Sequence, residues 1–205
     1  MELTAAALWL NTVFAGFDAS VTMAIHSLYD IGGWFFTPFF EAVSFIGHDG
    51  IPLIILSVLL ALFKKTRRAG IAMCIGIALG ALATNLFIKV YVARPRPYLN
   101  DFYRNLWLLV GQNTESDMSF PSGHVTATFA CMVPIFMTWD KRKSWLAILF
   151  AVLMAVSRIY LVVHYPSDVI GGIIIGTVAG VLGKLISLTI PDGFYEYSLF
   201  QKHKM

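Results

Sequence analysis

Three short segments of the 205-residue chain carry the residues that could do chemistry. They contain cations, a serine beside a glycine, two histidines and an aspartate: Lys89, Arg96, Ser122, Gly123, His124, Arg158, His164 and Asp168. Cationic side chains bind oxyanions, and histidine transfers protons near neutral pH. If the fold brings the three segments together, the sequence predicts an anion site that holds two proton-active imidazoles.

The cations and the segment around Ser122 suit a phosphate group. A phosphate spreads its charge over several oxygens, which an arginine fork binds in pairs and a lysine binds as a point charge. We expect Arg96, Arg158 and Lys89 to fill these roles. Ser122 can donate its hydroxyl, and Gly123 lets the backbone at the start of a helix approach the anion closely.

His164 and Asp168 form the predicted catalytic pair. A carboxylate that accepts the Nδ1–H of an imidazole leaves a lone pair on Nε2 and stabilises the cation formed on attack. We expect His164 to attack phosphorus and form a phosphohistidine, while His124 protonates the leaving group and later activates water. No cofactor and no metal are expected, because three cations neutralise the developing charge and this face lacks a carboxylate cluster for Mg²⁺.

In order and spacing, these residues resemble the three-part signature of the phosphatidic acid phosphatase type 2 superfamily. The match runs through Lys89, six residues and Arg96-Pro97; Pro121-Ser122-Gly123-His124; and Ser157-Arg158, five residues, His164, three residues and Asp168. The resemblance implies phosphate-binding cations, a general acid and a histidine nucleophile with its aspartate at the matching positions. It also implies a helical bundle with its site at the outer leaflet. Similar members often have six clear spans, whereas the first is weak here.

The elements that must position these residues are membrane-spanning helices. Hydrophobic residues make up 58% of the chain and charged residues only 13%, about half the usual share in soluble domains. A helix needs roughly 20 apolar residues to cross the hydrocarbon core. The strongest apolar segments lie at about residues 46–63, 69–92, 123–139, 144–163 and 168–190. The predicted fold is an all-α polytopic transmembrane bundle of five to six spans. Glycines on these helices are expected to allow close packing: Gly76, Gly80, Gly171, Gly172, Gly176, Gly180 and Gly183.

The N-terminal segment is apolar but interrupted, and two arrangements fit it. Asp18, Asp30 and the Gly32-Gly33 pair break residues 4–44, and aromatic residues follow. This pattern favours interfacial or re-entrant helices. The alternative is a sixth span at about residues 5–27, in which Asp18 would be costly at bilayer depth unless it is paired.

Basic residues set the expected orientation. They cluster after the first span, after the third span and near the C-terminus: Lys64, Lys65, Arg67, Arg68, Lys141, Arg142, Lys143, Lys202 and Lys204. The positive-inside rule places these clusters in the cytoplasm and the loop at 92–122 on the opposite side. We expect one membrane-embedded domain over residues 1–205: N-terminal helices at 1–45, a catalytic core at 46–190 and a cytoplasmic tail at 191–205. The site should face the extracytoplasmic side of the cell's inner membrane.

These features predict an integral membrane phosphatase whose partner is a lipid phosphate or diphosphate in the bilayer. By analogy with compact bacterial members, undecaprenyl diphosphate or phosphatidylglycerol phosphate is the favoured substrate. A phosphotransferase with the same phosphohistidine and a non-enzymatic lipid carrier are the alternatives. A carrier is disfavoured because its polar groups would line a pathway rather than converge at one end of the spans. Nucleic-acid binding is excluded by the absence of a continuous basic face, and no oligomeric state is predicted.

Several other polar residues lie outside the motifs. Arg94 could flank the phosphate or contact lipid headgroups. Residues of the outer loop are expected to be solvated: Arg104, Glu115 and Asp117. The remaining histidines of the apolar segments are expected to be structural: His26 and His48.

Overall fold

The computed structural model describes residues 3–196, and the regular secondary structure in this range is helical. The α-helices along these residues are α1 Ala5–Val13, α2 Ala15–His26, α3 Leu28–Ile46, α4 Ile51–Leu62, α5 Arg67–Ala81, α6 Lys89–Val92, α7 Asp101–Trp107, α8 Gly123–Thr138, α9 Lys141–Tyr160, α10 Pro166–Thr189 and α11 Asp192–Glu196. A π-helical segment, Leu82–Ile88, joins α5 to α6. Short 3-10 turns lie at His48–Gly50 and Pro97–Leu99. Lys202 and Lys204 of the predicted tail lie outside the described residues.

Within residues 3–196, four helical segments are long and apolar enough to cross a membrane. They are Leu28–Leu62, Arg67–Leu99, Lys141–Tyr160 and Pro166–Thr189. Helices α1 and α2 together would make a fifth. Helix α8 is also apolar, but with 16 residues it is only about 24 Å long, shorter than a typical hydrocarbon core. The predicted all-α bundle of membrane-spanning helices is confirmed for this part of the chain.

The N-terminal segment forms bent helices. Helices α1 and α2 meet at an angle of 61°, which is the shape of a broken span or a re-entrant loop. Helix α3 has non-helical dihedral angles at Gly32, where the sequence predicted an interruption. Beyond this kink the helix continues to Ile46, so most of the aromatic cluster lies on a regular helix.

Helices α5, α8 and α10 form the centre of the bundle, and small residues let them approach closely. A Cβ atom on Gly176 of α10 would lie 2.5 Å from the carbonyl oxygen of Thr126. A Cβ atom on Gly183 would lie 2.4 Å from the carbonyl oxygen of Ala72. Both distances are too short for a real Cβ contact, so larger side chains would force these helices apart. The predicted packing role of these two glycines is confirmed.

The packing places the polar groups at two opposite ends of the bundle. Gly172 near the start of α10 contacts Ser122 at the start of α8, whereas Gly183 near its end contacts the first turns of α5. The basic segment at the start of α5 is held at that second end: Arg68 pairs with Asp192, and the buried Arg67 donates to carbonyl groups of α11. The predicted site residues therefore lie at the end opposite this basic cluster.

Candidate active site

The segment after α6 carries Arg96 into the site. Helix α6 is capped by Ala93, which adopts a left-handed conformation with φ 48° and ψ 41°. The Arg96 side chain is buried, and its Nη1 lies 2.9 Å from both the carbonyl oxygen of Val163 and Nε2 of His164. Arg96 therefore joins the first predicted segment directly to the third.

His164 lies in the short connection between α9 and α10 and is almost fully buried. Because a guanidinium group can only donate, the contact with Arg96 requires Nε2 to accept and places the ring proton on Nδ1. Nδ1 faces Oδ2 of Asp168 at 3.7 Å, which is longer than a hydrogen bond. The geometry favours the predicted tautomer, but the predicted hydrogen bond to Asp168 is not formed at this distance.

The surroundings of His164 keep its imidazole neutral. Burial lowers the pKa of His164 well below its usual value, and the positive charges of Arg96, Arg158 and Lys89 lower it further. A neutral imidazole is the nucleophilic form, because its Nε2 carries a lone pair in place of a proton. In this structure that lone pair accepts the hydrogen bond from Arg96, which a bound phosphate would have to draw away.

His124 lies in the first turn of α8 and shares a cavity with His164. The cavity has a volume of about 200 Å³, and Lys89 and Arg96 also line it. Apolar residues form another part of its wall: Ile54, Ile77, Ala81 and Ala127. Gly123 lies next to Lys89. A Cβ atom added to Gly123 would lie 3.6 Å from Nζ of Lys89. One cavity therefore combines cations, two imidazoles and an apolar surface.

Arg158 and Ser122 are close to this cavity but do not line it. Arg158 is buried, donates to Oγ of Ser44 and lines a neighbouring cavity that His124 also lines. The hydroxyl of Ser122 is buried without a hydrogen-bond partner among the described residues. The structure thus brings the three predicted segments together, with Ser122 less accessible than the sequence predicted.

Glu115 and Asp117 are not simply solvated, contrary to expectation. Asp117 pairs with both Lys89 and Arg96, and Glu115 pairs with Arg158. Although partial burial tends to raise the pKa of Asp117, the hydrogen bond and charge of Lys89, together with Arg96, hold it below its usual value. Carboxylate oxygens therefore contact the cations that were predicted to bind phosphate oxygens, which carry similar charge.

Arg94 is buried inside the protein and does not line the cavity with His164. It donates to Asp18 at 2.9 Å and to Asp168 at 2.6 Å. Oγ of Ser119 donates to the other oxygen of Asp168 at 2.5 Å. The sequence signalled only that Asp18 needs a partner. The identity of that partner and the contact of Ser119 depend on helix packing and carry no local signature.

The described residues offer no evident metal-binding cluster. Among residues 3–196, no group of three or more His, Cys, Asp or Glu side chains is placed to hold a metal ion. The predicted metal independence of the reaction remains a prediction for experiment.

Comparison with known proteins identifies the family. Residues 69–190, which include all eight predicted site residues, match the PAP2 superfamily. The chain is similar to the undecaprenyl-diphosphatase of Sulfolobus acidocaldarius, with 35% identity over 136 residues, 66% of this chain and 64% of that protein. It is 32% identical to the decaprenylphosphoryl-5-phosphoribose phosphatase of Mycobacterium tuberculosis over 166 residues, 80% of this chain and 88% of that protein. The solved PAP2-type phosphatidylglycerolphosphate phosphatase of Bacillus subtilis shares the fold, with a TM-score of 0.62 and 23% identity over 91% of this chain and 92% of that chain.

The apolar helices and these relatives define the class of integral membrane lipid phosphatases. Within that class the chain belongs to the PAP2 superfamily. The predicted superfamily and the predicted enzyme class are confirmed. The individual roles of the eight site residues remain predictions.

Proposed function

We propose that this protein hydrolyses undecaprenyl diphosphate or a closely similar polyprenyl diphosphate through a phosphohistidine on His164, without a metal ion. The observation that carries the proposal is the placement of His164. Its Nε2 lies 2.9 Å from Arg96, and both residues line the cavity that also contains Lys89 and His124. A phosphate held by the two cations would present its phosphorus atom to Nε2.

The first step transfers the terminal phosphoryl group to the enzyme. The Nε2 lone pair of His164 forms a bond to phosphorus while the bond to the leaving oxygen breaks. His124, protonated once the negative charge of the substrate lies beside it, gives a proton to that oxygen, and the lipid phosphate leaves. Arg96 and Lys89, which line the cavity, stabilise the negative charge that develops on the phosphoryl oxygens, and the positive charge of Arg158 beside the cavity adds to this effect.

The second step releases inorganic phosphate. His124, now neutral, takes a proton from water, and the water oxygen bonds to phosphorus as the nitrogen–phosphorus bond breaks. His164 regains its lone pair. Asp168 favours the first step because its negative charge stabilises the cationic imidazole ring that forms, and in the second step it keeps Nδ1 protonated so that a neutral imidazole leaves.

The substrate preference rests on similarity and on the cavity wall. The Sulfolobus relative is named an undecaprenyl-diphosphatase, and the mycobacterial relative acts by its name on another polyprenyl phosphate compound. The likeness to the phosphatidylglycerolphosphate phosphatase is at 23% identity and supports the fold only. Apolar residues beside the cations, such as Ile54 and Ile77, give an isoprenoid chain a surface to contact.

The same proposal includes orientation and domain organisation. The site lies opposite the basic segment at 64–68, so the positive-inside rule places it on the extracytoplasmic face of the cell membrane. Residues 46–190 form the catalytic core of a single membrane-embedded domain, and the helices at 5–46 pack beside this core.

Phosphate release by detergent-purified protein in EDTA tests the proposal. The substrates are undecaprenyl diphosphate, phosphatidylglycerol phosphate and phosphatidic acid, each with and without added Mg²⁺. We expect undecaprenyl diphosphate to be the best substrate and EDTA to have no effect. Activity that requires Mg²⁺ contradicts the mechanism, and preference for a diacyl lipid contradicts the substrate. Product that forms only with an added alcohol indicates a phosphotransferase.

Removing the carboxylate of Asp117 should strengthen anion binding. Because Asp117 pairs with Lys89 and Arg96, an entering phosphate must displace it from both cations. For a half-exposed carboxylate this competition is worth roughly 1 kcal/mol, so Asp117→Asn should lower the inhibition constant of inorganic phosphate about three- to tenfold. The control is Asp101→Asn, which changes an exposed acid at the start of α7. Weaker phosphate binding by Asp117→Asn would mean that Asp117 supports the anion site instead.

A further inference from the structure

Asp18 is a buried carboxylate in the apolar helix α2, and the described hydrogen bonds of its side chain all go to residues beside Asp168. Only 1% of the residue is exposed. Its Oδ1 accepts a hydrogen bond of 2.8 Å from the backbone nitrogen of Ser167. Its Oδ2 accepts from Arg94 Nη2 at 2.9 Å and from Ser167 Oγ at 2.8 Å. Ser167 directly precedes Asp168, so the side chain of Asp18 holds both the backbone and the cation beside Asp168.

Arg94 connects the two carboxylates. Its Nη1 donates to Oδ1 of Asp168 at 2.6 Å and to Oγ of Ser167 at 2.7 Å. Its Nε donates to Oδ1 of Asn11 at 2.8 Å, and the guanidinium lies 3.9 Å from the ring centroid of Tyr165. Hydrogen bonds along its edges and the Tyr165 ring on one face hold the guanidinium group in one orientation. Arg94 therefore fixes the carboxylate plane of Asp168 from the side away from His164.

The bend between α1 and α2 makes this arrangement possible. Asn11 belongs to α1 and Asp18 to α2, and in a straight helix seven residues would separate them by about 10 Å along the axis. The 61° bend instead lets both side chains contact one guanidinium group. Both residues lie before residues 69–190, the part of the chain that matches the family.

The charges of this network favour a cation on His164. Asp18, Arg94 and Asp168 form an alternating series of negative, positive and negative groups with a net charge of one negative. Without Asp18, the charge of Arg94 would cancel that of Asp168. In a buried environment such a change has a large effect on a neighbouring charge.

We propose that Asp18, acting through Arg94, is a positioning residue that keeps the carboxylate of Asp168 oriented and the net charge of the network negative behind the His164 nucleophile. The bent N-terminal helix pair is then a part of the catalytic site and more than a membrane anchor. This inference rests on the proposed phosphohistidine mechanism. In that mechanism, neither Asp18 nor Arg94 contacts the substrate.

The test is steady-state hydrolysis of undecaprenyl diphosphate by wild type, Asp18→Asn and Thr22→Val. Asp18→Asn removes the charge but keeps the shape, and we expect kcat to fall about 10- to 100-fold with KM changed less than about threefold. Thr22 is one turn further along α2, buried, and without a hydrogen-bond partner for its hydroxyl among the described residues, so Thr22→Val should retain wild-type kcat. A general disturbance of α2 would affect both variants, whereas loss of positioning affects only Asp18→Asn.

Further variants keep the proposal testable. If Asp18→Asn does not fold, Asn11→Ala removes a neutral contact of the same guanidinium and should lower kcat about three- to tenfold at unchanged KM. In an Arg94→Gln background, Asp18→Asn should add little to the loss of kcat, because its effect passes through Arg94. If folded Asp18→Asn has the kcat of the wild type, the inference is wrong but the proposed function stands. The same holds for Asn11→Ala if Asp18→Asn does not fold. A wild type inactive on every lipid overturns the proposed function and the inference with it.

Discussion

His164→Ala should reduce phosphate release from undecaprenyl diphosphate by about four orders of magnitude or more. The imidazole supplies the atom that bonds to phosphorus, and neither side chain next to its two ring nitrogens can replace it. Arg96, the neighbour of Nε2, can only donate hydrogen bonds, and Asp168 lies behind the ring on the Nδ1 side. Single-turnover experiments with substrate labelled in the terminal phosphate should also find no acid-labile, alkali-stable phosphoenzyme in the variant.

The matched control is His26→Gln, which removes another buried imidazole from the bundle. His26 contacts the carbonyl oxygen of Leu106 at 3.1 Å and stacks near Tyr160, and it contacts none of the eight site residues. We expect its activity to stay within about threefold of wild type once folding is verified by thermal unfolding. Substantial phosphate release by folded His164→Ala would show that another group is the nucleophile.

The transmembrane helices could be predicted from the sequence because the bilayer imposes a length. Helices α9 and α10 begin and end within a few residues of the predicted segments at 144–163 and 168–190. The N-terminal segment was harder to predict. An unpaired Asp18 argues against a membrane-spanning helix, whereas a paired Asp18 does not, and the sequence does not show whether Asp18 has a partner. Arg94, 76 residues later in the chain, provides that partner. Hydropathy averages over neighbours in sequence and contains no information about such a pair.

The part of the site whose residues belong to sequence motifs could be predicted from the sequence. The spacing around Arg96, His124 and His164 sufficed to predict that three segments meet, and the structure brings them to one cavity. The contacts of Asp117 could not be predicted in the same way. A carboxylate in a polar loop is solvated by default, and only the folded loop places it on Lys89 and Arg96. Likewise, no sequence motif marks Ser119. Its hydrogen bond to Asp168 depends on how the chain folds.

Replacing His124 should affect the two chemical steps differently, and the difference depends on the leaving group. In the first step, His124→Asn removes the acid that protonates the leaving oxygen. A lipid phosphate leaves readily as an anion, whereas the alkoxide expelled from phosphatidic acid needs a proton. We therefore expect a loss of roughly 100- to 10,000-fold for phosphatidic acid and a much smaller loss in phosphoryl transfer from undecaprenyl diphosphate.

In the second step, His124→Asn removes the base that activates water, whichever lipid donated the phosphoryl group. With undecaprenyl diphosphate the variant should release about one equivalent of lipid phosphate per enzyme in a rapid phase, then turn over slowly as phosphohistidine accumulates. Rapid-quench measurement of lipid phosphate and phosphoenzyme checks this result. Thr128→Val is the control, because this buried hydroxyl lies one turn along α8 and bonds to the carbonyl oxygen of His124 within the helix. Equal losses for both lipids without accumulated phosphoenzyme would mean that His124 binds phosphate and transfers no proton, because a binding defect does not depend on the leaving group.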